Sequence, residues 1–512
     1  MLLCQYAPDT FDSLQSALSV FVVPVDLTST STSHQVSWLA LRMFADGKSS
    51  RVLLGLLRAR HVDTWGFHGG LEIFRSSSLS QFWCLYGGNA VIGLSCVYRW
   101  PVGLRSIGNK KGALRGLRLE KFWTHLNDVS DSQWRNFRQN LPILSLAMAL
   151  LSLTNNTIRR SFSLQGKGTS CVLLAISLIY ILYLHGACSL FLLAIAVGNF
   201  LLAKVMAGNP AFPALVWMYN LVFLVSNRVY EGYSFSYLGE ELAFLDNHRG
   251  AQRWHISFNF VMLRMVSFGL DYHWACISRL STIDWEKHSK SCDVCQLGSD
   301  CYLKRQEKSL SLSEYSMEFY VSYLFYPPLY IAGPIISFNA FASQLELSQA
   351  SHSKVDVVLY GLRWISCLAF MELLTHYCYF NSLAISGIWQ NLSPWEVFAV
   401  GYGVLNFMWL KFLLIWRFFR FWALVDGVET VENMPHCINN CYDLEGFWKS
   451  WHASYNRWLV RYLYIPLGGA RYRILNIWVI FTFVAVWHDL EWYEKHIAFV
   501  KFVAFLVPFR TA

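Results

Sequence analysis

Charged side chains are scarce in this chain. Asp, Glu, Lys and Arg together make up 15% of its 512 residues, whereas soluble domains carry about 25%. Hydrophobic residues make up 54% and aromatic residues 17%, and the mean hydropathy is +0.32. This shortage of charge argues against a soluble enzyme and predicts an all-α integral membrane protein that crosses the bilayer several times.

Other common signals are missing as well. The sequence has no Gly-rich phosphate-binding loop, no internal repeat and no clean secretory signal with a cleavage site. Residues 1–80 contain no unambiguous span and are rich in Ser and Thr, as in "DLTSTSTSHQ". We therefore expect an irregular N-terminal lead-in over residues 1–80 and a membrane domain over residues 81–512.

Apolar runs dominate the rest of the chain. A helix needs about 20 apolar residues to cross a bilayer, and runs near this length recur with short polar connections between them. We predict about nine to eleven helices, some of them re-entrant. The candidate spans are 82–98, 141–154, 170–186, 187–206, 211–227, 255–270, 317–339, 356–376, 395–424, 474–488 and 496–508.

Two of these spans carry residues that are unusual at membrane depth. Segment 317–339 has prolines and glycine in its middle, which break helical hydrogen bonding and are tolerated only inside protein or beside a cavity. Segment 395–424 contains Arg417 and Arg420. Their charge predicts either an end at the membrane interface or a polar interior.

Much of the net charge of +9 lies in one loop, 99–121. The positive-inside rule places this loop in the cytosol. We interpret it as a topology signal at the membrane surface and expect no nucleic-acid partner, since no basic domain surrounds it. Its basic residues are Arg99, Arg105, Lys110, Lys111, Arg115, Arg118 and Lys121.

Three of the 13 cysteines fall in a single loop, with a histidine nearby. Cys292 and Cys295 form a C-x-x-C pair, and Cys301 and His288 flank it. These are metal-ligand residue types, but the spacing matches no zinc pattern closely. A metal site, a disulfide or solvent-facing thiols, and lipidation all stay open, and a disulfide would place the loop in the lumen.

The stretch "GFWKSWHASYNRWLVRYLYIPLGG" places His452 among regularly spaced aromatic residues. If 447–463 is helical, these residues form one stripe, with a basic pair and Lys449 on other faces. The alternative to a functional role is an interfacial amphipathic helix anchored by its aromatic and basic side chains. The stripe consists of Trp448, Trp451, Tyr455, Trp458 and Tyr462, and the neighbouring polar residues include Asn456, Arg457 and Arg461.

His488 and Asp489 end the apolar run "ILNIWVIFTFVAVWHD". An ionisable group at membrane depth is a functional candidate by default. An imidazole near its ordinary pKa can accept a proton at neutral pH, as a general base must to activate a hydroxyl. The alternative is a histidine whose ring is satisfied by a carbonyl at a helix end.

These motifs together resemble the membrane-bound O-acyltransferase superfamily. The chain is most similar to its glycerol uptake protein-like branch and is related to the Hedgehog acyltransferases. The resemblance rests on "FWKSWHASYNRWLVRYLYIPLGG" and "WHD", supported by "LNDVSDSQWRNFRQNLPIL" and "YLFYPPLYIAGPIISFNAF". It spans roughly residues 119–492 and implies a multi-spanning helical bundle around a transmembrane tunnel.

The resemblance also implies roles for individual residues. His488 falls on the family's nearly invariant histidine and His452 on its second motif position, so both are expected to be catalytic. His488 would deprotonate the acceptor hydroxyl, and His452 would orient groups or polarise the carbonyl. The expected substrate contacts are Trp448, Trp451, Asn456, Arg457 and Arg461, the two arginines with the phosphates of coenzyme A.

The implied reaction transfers a long-chain fatty acyl group from acyl-CoA to a lipid hydroxyl. For this branch the acceptor is a lyso-form of a glycosylphosphatidylinositol (GPI) anchor in the endoplasmic reticulum membrane. Alternatives are protein palmitoylation, as in the Hedgehog acyltransferases, and a catalytically silent scaffold or regulator of glycerol transport. The expected partners are membrane lipids and acyl-CoA, and we expect no metal among the site residues and no permanently bound cofactor.

The sequence departs from the family pattern after "WHD". The last apolar run, 496–508, is shorter than the ~20 residues of a full span, whereas the family continues with further helices. A C-terminally incomplete domain is therefore an alternative expectation. In that case the tunnel would leak water and the enzyme would be inactive.

Overall fold

The computed structural model describes residues 114–120, 125–278, 283–346, 351–388, 392–441 and 443–488. The predicted lead-in 1–80, the spans 82–98 and 496–508, most of the basic loop and Asp489 lie outside these residues. Helices account for most of the described residues, which confirms the predicted fold class.

A short antiparallel pair, β1 (Leu117–Leu119) and β2 (Leu126–Asp128), precedes the helices. Short 3₁₀ helices cover Phe235–Tyr237, Glu240–His248, Leu312–Glu314, Ile438–Asn440 and Gly469–Tyr472, and a π-helical turn covers Val460–Tyr464. The α-helices are α1 (Ser132–Ser161), α2 (Lys167–His185), α3 (Ser189–Met206), α4 (Phe212–Val229), α5 (Trp254–Cys276), α6 (Trp285–Ser291), α7 (Asp293–Gln296), α8 (Tyr302–Glu307), α9 (Met317–Leu324), α10 (Pro327–Tyr330), α11 (Phe338–Glu346), α12 (Lys354–Tyr377), α13 (Phe380–Ile385), α14 (Pro394–Val425), α15 (Leu444–Ser450), α16 (Ala453–Leu459) and α17 (Arg473–His488).

Within the described part of the chain, six helical segments are long and apolar enough to cross a membrane. They are α1, α2, α3, α12, α14 and Gly469–His488. Their outward faces carry large exposed apolar side chains, such as Leu153, Ile179 and Val205. Apolar surfaces of this kind suit contact with lipid tails. The helix α5, in contrast, is buried along nearly its whole length and forms the centre of the bundle.

The predicted span 317–339 is a broken segment buried in protein, as its prolines indicate. It consists of α9, α10 and non-helical residues that lead into α11. Its freed carbonyl groups would be costly at membrane depth without partners. The buried Arg264 of α5 supplies them, since its guanidinium donates to the carbonyl oxygens of Tyr323, Leu324 and Leu329.

Backbone N–H groups after the break are satisfied in the same way. Ile335 N donates to Ser454 Oγ at 2.8 Å, and Phe338 N donates to Ser267 Oγ at 3.1 Å. Gly333 adopts a φ of 110°, and a Cβ there would lie 2.8 Å from the Cβ of Phe419. The bend therefore requires glycine. This broken segment joins α5, α14 and α16 into one core.

The arginines of the predicted span 395–424 lie in a polar interior. Both Arg417 and Arg420 are buried on α14, and their guanidinium nitrogens lie 3.4 and 3.6 Å from the carboxylate of Glu432. Tyr360 of α12 also donates to Glu432, at 3.0 Å. Of the two alternatives from the sequence, the polar interior is the one observed, and the interface end is not.

Candidate active site

The stretch that was expected to be one helix over 447–463 is two short helices with a break between them. α15 ends at Ser450, and α16 begins at Ala453. Between them His452 takes the left-handed conformation, with φ 50° and ψ 51°. The continuous helix is wrong, since a left-handed residue interrupts it. Of the predicted aromatic stripe, Tyr455, Trp458 and Tyr462 are buried inside the protein.

Buried Asn433 fixes this break. Its carbonyl oxygen accepts from Ala453 N at 3.0 Å, and its side-chain oxygen accepts from Ser454 N at 3.1 Å. These two N–H groups belong to the first turn of α16, which has no intrahelical partners for them. Asn433 therefore acts as an external cap and holds His452 at the start of α16. This contact could not be predicted from helical spacing, because Asn433 lies outside the motif.

A series of packed rings connects the two histidines. His452 stacks on Trp416 with ring centroids 4.4 Å apart and contacts Tyr455 at 5.2 Å. Tyr455 stacks on Trp487 at 4.5 Å, and Trp487 meets His488 edge-on at 5.1 Å. Packed aromatic contacts of this kind restrict both imidazole positions.

The end of α17, which carries His488, is held by reciprocal hydrogen bonds to α5. Trp487 Nε1 donates to the carbonyl oxygen of Asn259 at 2.9 Å, and Asn259 Nδ2 donates to the carbonyl oxygen of Trp487 at 2.8 Å. Arg228 of α4 donates to the carbonyl oxygen of His488 at 2.9 Å. These three hydrogen bonds anchor the last described turn of α17, and with it His488, to α5 and α4.

A cavity of about 210 Å³ lies between α5, α14, α15, α16 and α17. Both His452 and His488 line it, so two histidines that are 36 positions apart in the sequence share one site. The predicted contacts Trp448, Trp451 and Asn456 line it as well. The remaining lining residues are mostly apolar, namely Phe260, Phe412, Trp416, Tyr455, Leu459, Ile480, Phe481, Val484 and Trp487.

Two buried polar atoms at this cavity have no hydrogen-bond partner among the described residues. They are His452 Nε2 and the hydroxyl oxygen of Tyr455. Buried polar groups are normally satisfied, so these two groups are candidates for hydrogen bonds to a bound substrate. His452 lies outside the six helical segments that could cross a membrane. Burial, and to a lesser extent the nearby His488, lowers the pKa of its imidazole well below the ordinary value. Its ring is therefore neutral at neutral pH.

The structure separates the two arginines that the sequence treated as equivalent. Arg457 is exposed, whereas Arg461 is buried and its guanidinium pairs with Asp271 at 3.2 Å and with Glu307. Among the described residues, the lining of the histidine cavity does not include either arginine. Both border a small cleft near Tyr302 instead. Contact with coenzyme A stays a prediction for both, and the geometry favours it for Arg457.

Three contributors to this site were missed as site residues by sequence reasoning. Tyr455 was named only as a member of an aromatic stripe, and Trp416 and Asn259 were not singled out. Asn259 and Trp416 lie on α5 and α14, far from the motif in the sequence. A weak signal existed in Asn259, one of several polar residues in the predicted span 255–270, because a polar residue at membrane depth is a functional candidate.

This arrangement can carry out proton transfer in a cavity that also accommodates an apolar acyl chain. A histidine can accept a proton, a second and neutral histidine can donate a hydrogen bond, and aromatic and aliphatic side chains surround both. The cavity is therefore suited to attack of a hydroxyl or amine on the carbonyl of an acyl group.

Comparison with known proteins gives the same class. The chain is 36% identical over 376 residues to membrane-bound O-acyltransferase gup1 of Schizosaccharomyces pombe, covering 71% of this chain and 63% of the relative. It is 35% identical over 371 residues to GUP1 of Saccharomyces cerevisiae, covering 71% and 65%. Protein-cysteine N-palmitoyltransferase HHAT of Mus musculus is 28% identical over 185 residues, covering 34% and 37%.

The chain thus spans less than two thirds of the length of the gup1 and GUP1 relatives. The family model for MBOAT, the membrane-bound O-acyltransferase family, matches residues 243–510. The matched residues include the broken segment, both histidines and the helices α5, α14, α16 and α17. The chain belongs to the membrane-bound O-acyltransferase family.

Proposed function

We propose that this protein transfers an acyl group from a thioester donor to a hydroxyl group of a lipid acceptor. The observation that carries the proposal is the cavity shared by His452 and His488, whose lining is largely apolar. Two of its lining residues, His452 and Tyr455, also carry a buried polar atom without a described hydrogen-bond partner. Family membership supports the same reaction class.

In the proposed reaction, His488 takes the proton of the acceptor hydroxyl as its oxygen attacks the thioester carbonyl carbon. The carbonyl oxygen gains negative charge, and the orphaned His452 Nε2 and Tyr455 hydroxyl are the groups available to donate hydrogen bonds to it. The C–S bond then breaks. The leaving thiolate takes the proton from the His488 imidazolium, so the ester and the free thiol are the products.

The substrate classes follow from the cavity and from the resemblance. Aromatic and aliphatic side chains dominate the lining, which suits a long fatty acyl chain, and acyl-CoA is the proposed donor. Similarity to the gup1 and GUP1 relatives supports the choice of an acceptor used by this branch of the family. We propose a lyso-form of a GPI anchor as the acceptor and the endoplasmic reticulum as the location.

The test is to express the chain in a yeast host without its own gup1-type enzyme and to analyse GPI-anchor lipids by mass spectrometry. Wild type should restore the long acyl chain, and His488→Ala should not, although the variant protein is present in the membrane. Activity of His488→Ala equal to wild type would contradict the role of this histidine.

A matched control is Lys449→Ala, which removes an exposed side chain paired with Glu445 on α15, outside the cavity lining. It should behave as wild type. Failure of wild type itself, with the protein inserted, would contradict the GPI acceptor. Incubating purified protein with labelled acyl-CoA and candidate lipid or peptide acceptors would then distinguish lipid acylation from protein palmitoylation and from a silent scaffold.

A further inference from the structure

A second cluster of reactive side chains lies away from the histidine cavity, in the loop between α5 and α9. His288 is on α6, Cys292 directly precedes α7, Cys295 lies within α7, and Cys301 caps α8. One ligand atom from each of these four residues lies within 4.8 Å of the other three. All three cysteines are free thiols. The sequence spacing did not decide the role of this loop, and the fold brings all four side chains close together.

The spacing between these atoms fits a tetrahedral metal ion. Zinc binds sulfur at about 2.3 Å and imidazole nitrogen at about 2.0 Å, so its tetrahedral ligands lie about 3.5 to 3.8 Å apart. His288 Nε2 is 3.3 Å from Cys301 Sγ, and the whole set is within 4.8 Å. Small side-chain rotations would therefore close the four ligands on one ion.

The surroundings also suit bound thiolates. Lys304 N donates to Cys301 Sγ at 3.5 Å, and the backbone N–H groups of Val294 and Cys295 donate to the Cys292 sulfur. Hydrogen bonds from backbone N–H groups orient metal ligands and stabilise their charge. Cys301 is 8% exposed, and the other three ligands are half-buried. The cluster is thus a shielded pocket in which ligands are oriented by the backbone.

We propose that His288, Cys292, Cys295 and Cys301 bind one structural zinc ion. Three sulfur ligands and one nitrogen ligand are a zinc set, and four protein ligands leave no open position for chemistry. The expectation that the chain holds no permanently bound cofactor is revised by this proposal. Zinc thiolates also indicate a reducing environment, so the loop would face the cytosol and not the lumen.

The test measures the metal content of the full-length protein purified in detergent, by inductively coupled plasma mass spectrometry. Wild type should contain about one zinc per chain, and Cys295→Ser should lose most of it. Cys171→Ser, which removes an exposed thiol on α2, is the matched control and should keep the zinc. Zinc retained equally by Cys295→Ser would identify adventitious metal and overturn the proposal.

Two further measurements cover the case in which Cys295→Ser fails to fold. His288→Cys should still bind one zinc through four thiolates, whereas His288→Ala should bind it more weakly. Wild type reloaded with Co²⁺ should show the visible absorption of a tetrahedral thiolate complex. Wild type that contains no zinc, or a disulfide between any two of these cysteines in non-reducing peptide mapping, would overturn the proposal.

Discussion

Replacing Arg461 with alanine should destabilise the protein far more than the same change at Arg457. The Arg461 side chain is 9% exposed and pairs with the fully buried carboxylate of Asp271 at 3.2 Å. It also pairs with Glu307, donates to the carbonyl oxygen of Gln306 at 3.0 Å, and lies over the ring of Trp274. Arg457 is exposed.

The expected magnitude follows from what the truncation leaves behind. In Arg461→Ala the Asp271 carboxylate stays buried and loses its cation, which costs about 3–5 kcal/mol of unfolding free energy. Tyr462 and Asn339 N, which donate to Asp271 at 3.1 and 3.2 Å, offset only part of this loss. An exposed truncation such as Arg457→Ala should change the unfolding free energy by no more than about 0.5 kcal/mol.

Thermal unfolding in detergent, followed by tryptophan fluorescence, measures the difference. The double variant Arg461→Met, Asp271→Asn removes both charges, keeps an acceptor for Tyr462, and should be less destabilised than Arg461→Ala. Acyl-CoA kinetics on the same samples should show a raised KM in Arg457→Ala. If Arg461→Ala unfolds at the wild-type temperature and only raises KM, its ion pairs do not stabilise the fold and it is a substrate contact.

Two predictions concern the cavity itself. His452→Ala should lower kcat by about 100- to 1,000-fold, the usual effect of losing one donor to an oxyanion. His452→Gly, which suits the left-handed backbone, should be equally slow, and wild-type turnover in either variant would remove His452 from the site. Tyr455→Phe should lower kcat about 10-fold while leaving thermal stability equal or higher, since its hydroxyl has no described partner. A large fall in stability with unchanged kcat would instead assign Tyr455 a structural role.

Much of the fold was predictable because lipid imposes strong constraints on sequence. Long apolar runs gave the spans that became α1, α2, α3, α12 and α14, and the prolines of 317–339 gave the broken segment. The partners of that segment were not predictable. Arg264 and Ser267 satisfy its backbone from α5, and neither residue is near it in the sequence.

Residues within the motifs could be named as site candidates from the sequence, whereas the residues that position them from other helices could not. His452 and His488 were identified from the motifs, and they do share a cavity. The conformation of His452 was not predictable from the aromatic spacing, because Asn433 determines it from outside the helix. The same holds for Arg461. Its i, i+4 relation to Arg457 suggested one exposed surface, but Arg461 is buried and only Arg457 is exposed.

The proposed zinc loop and the histidine cavity are physically connected through α8. Cys301 caps the start of this helix, and the end of the helix supplies Gln306 and Glu307 to Arg461. Arg461 lies in the π-helical turn that continues α16, and α16 starts directly after His452. A metal ion bound at Cys301 would therefore stabilise the start of α8. The end of α8 holds Arg461, which lies in the segment that follows His452 and α16. Zinc loss in Cys295→Ser is accordingly expected to lower thermal stability and turnover together, in contrast to Tyr455→Phe, which should lower turnover alone.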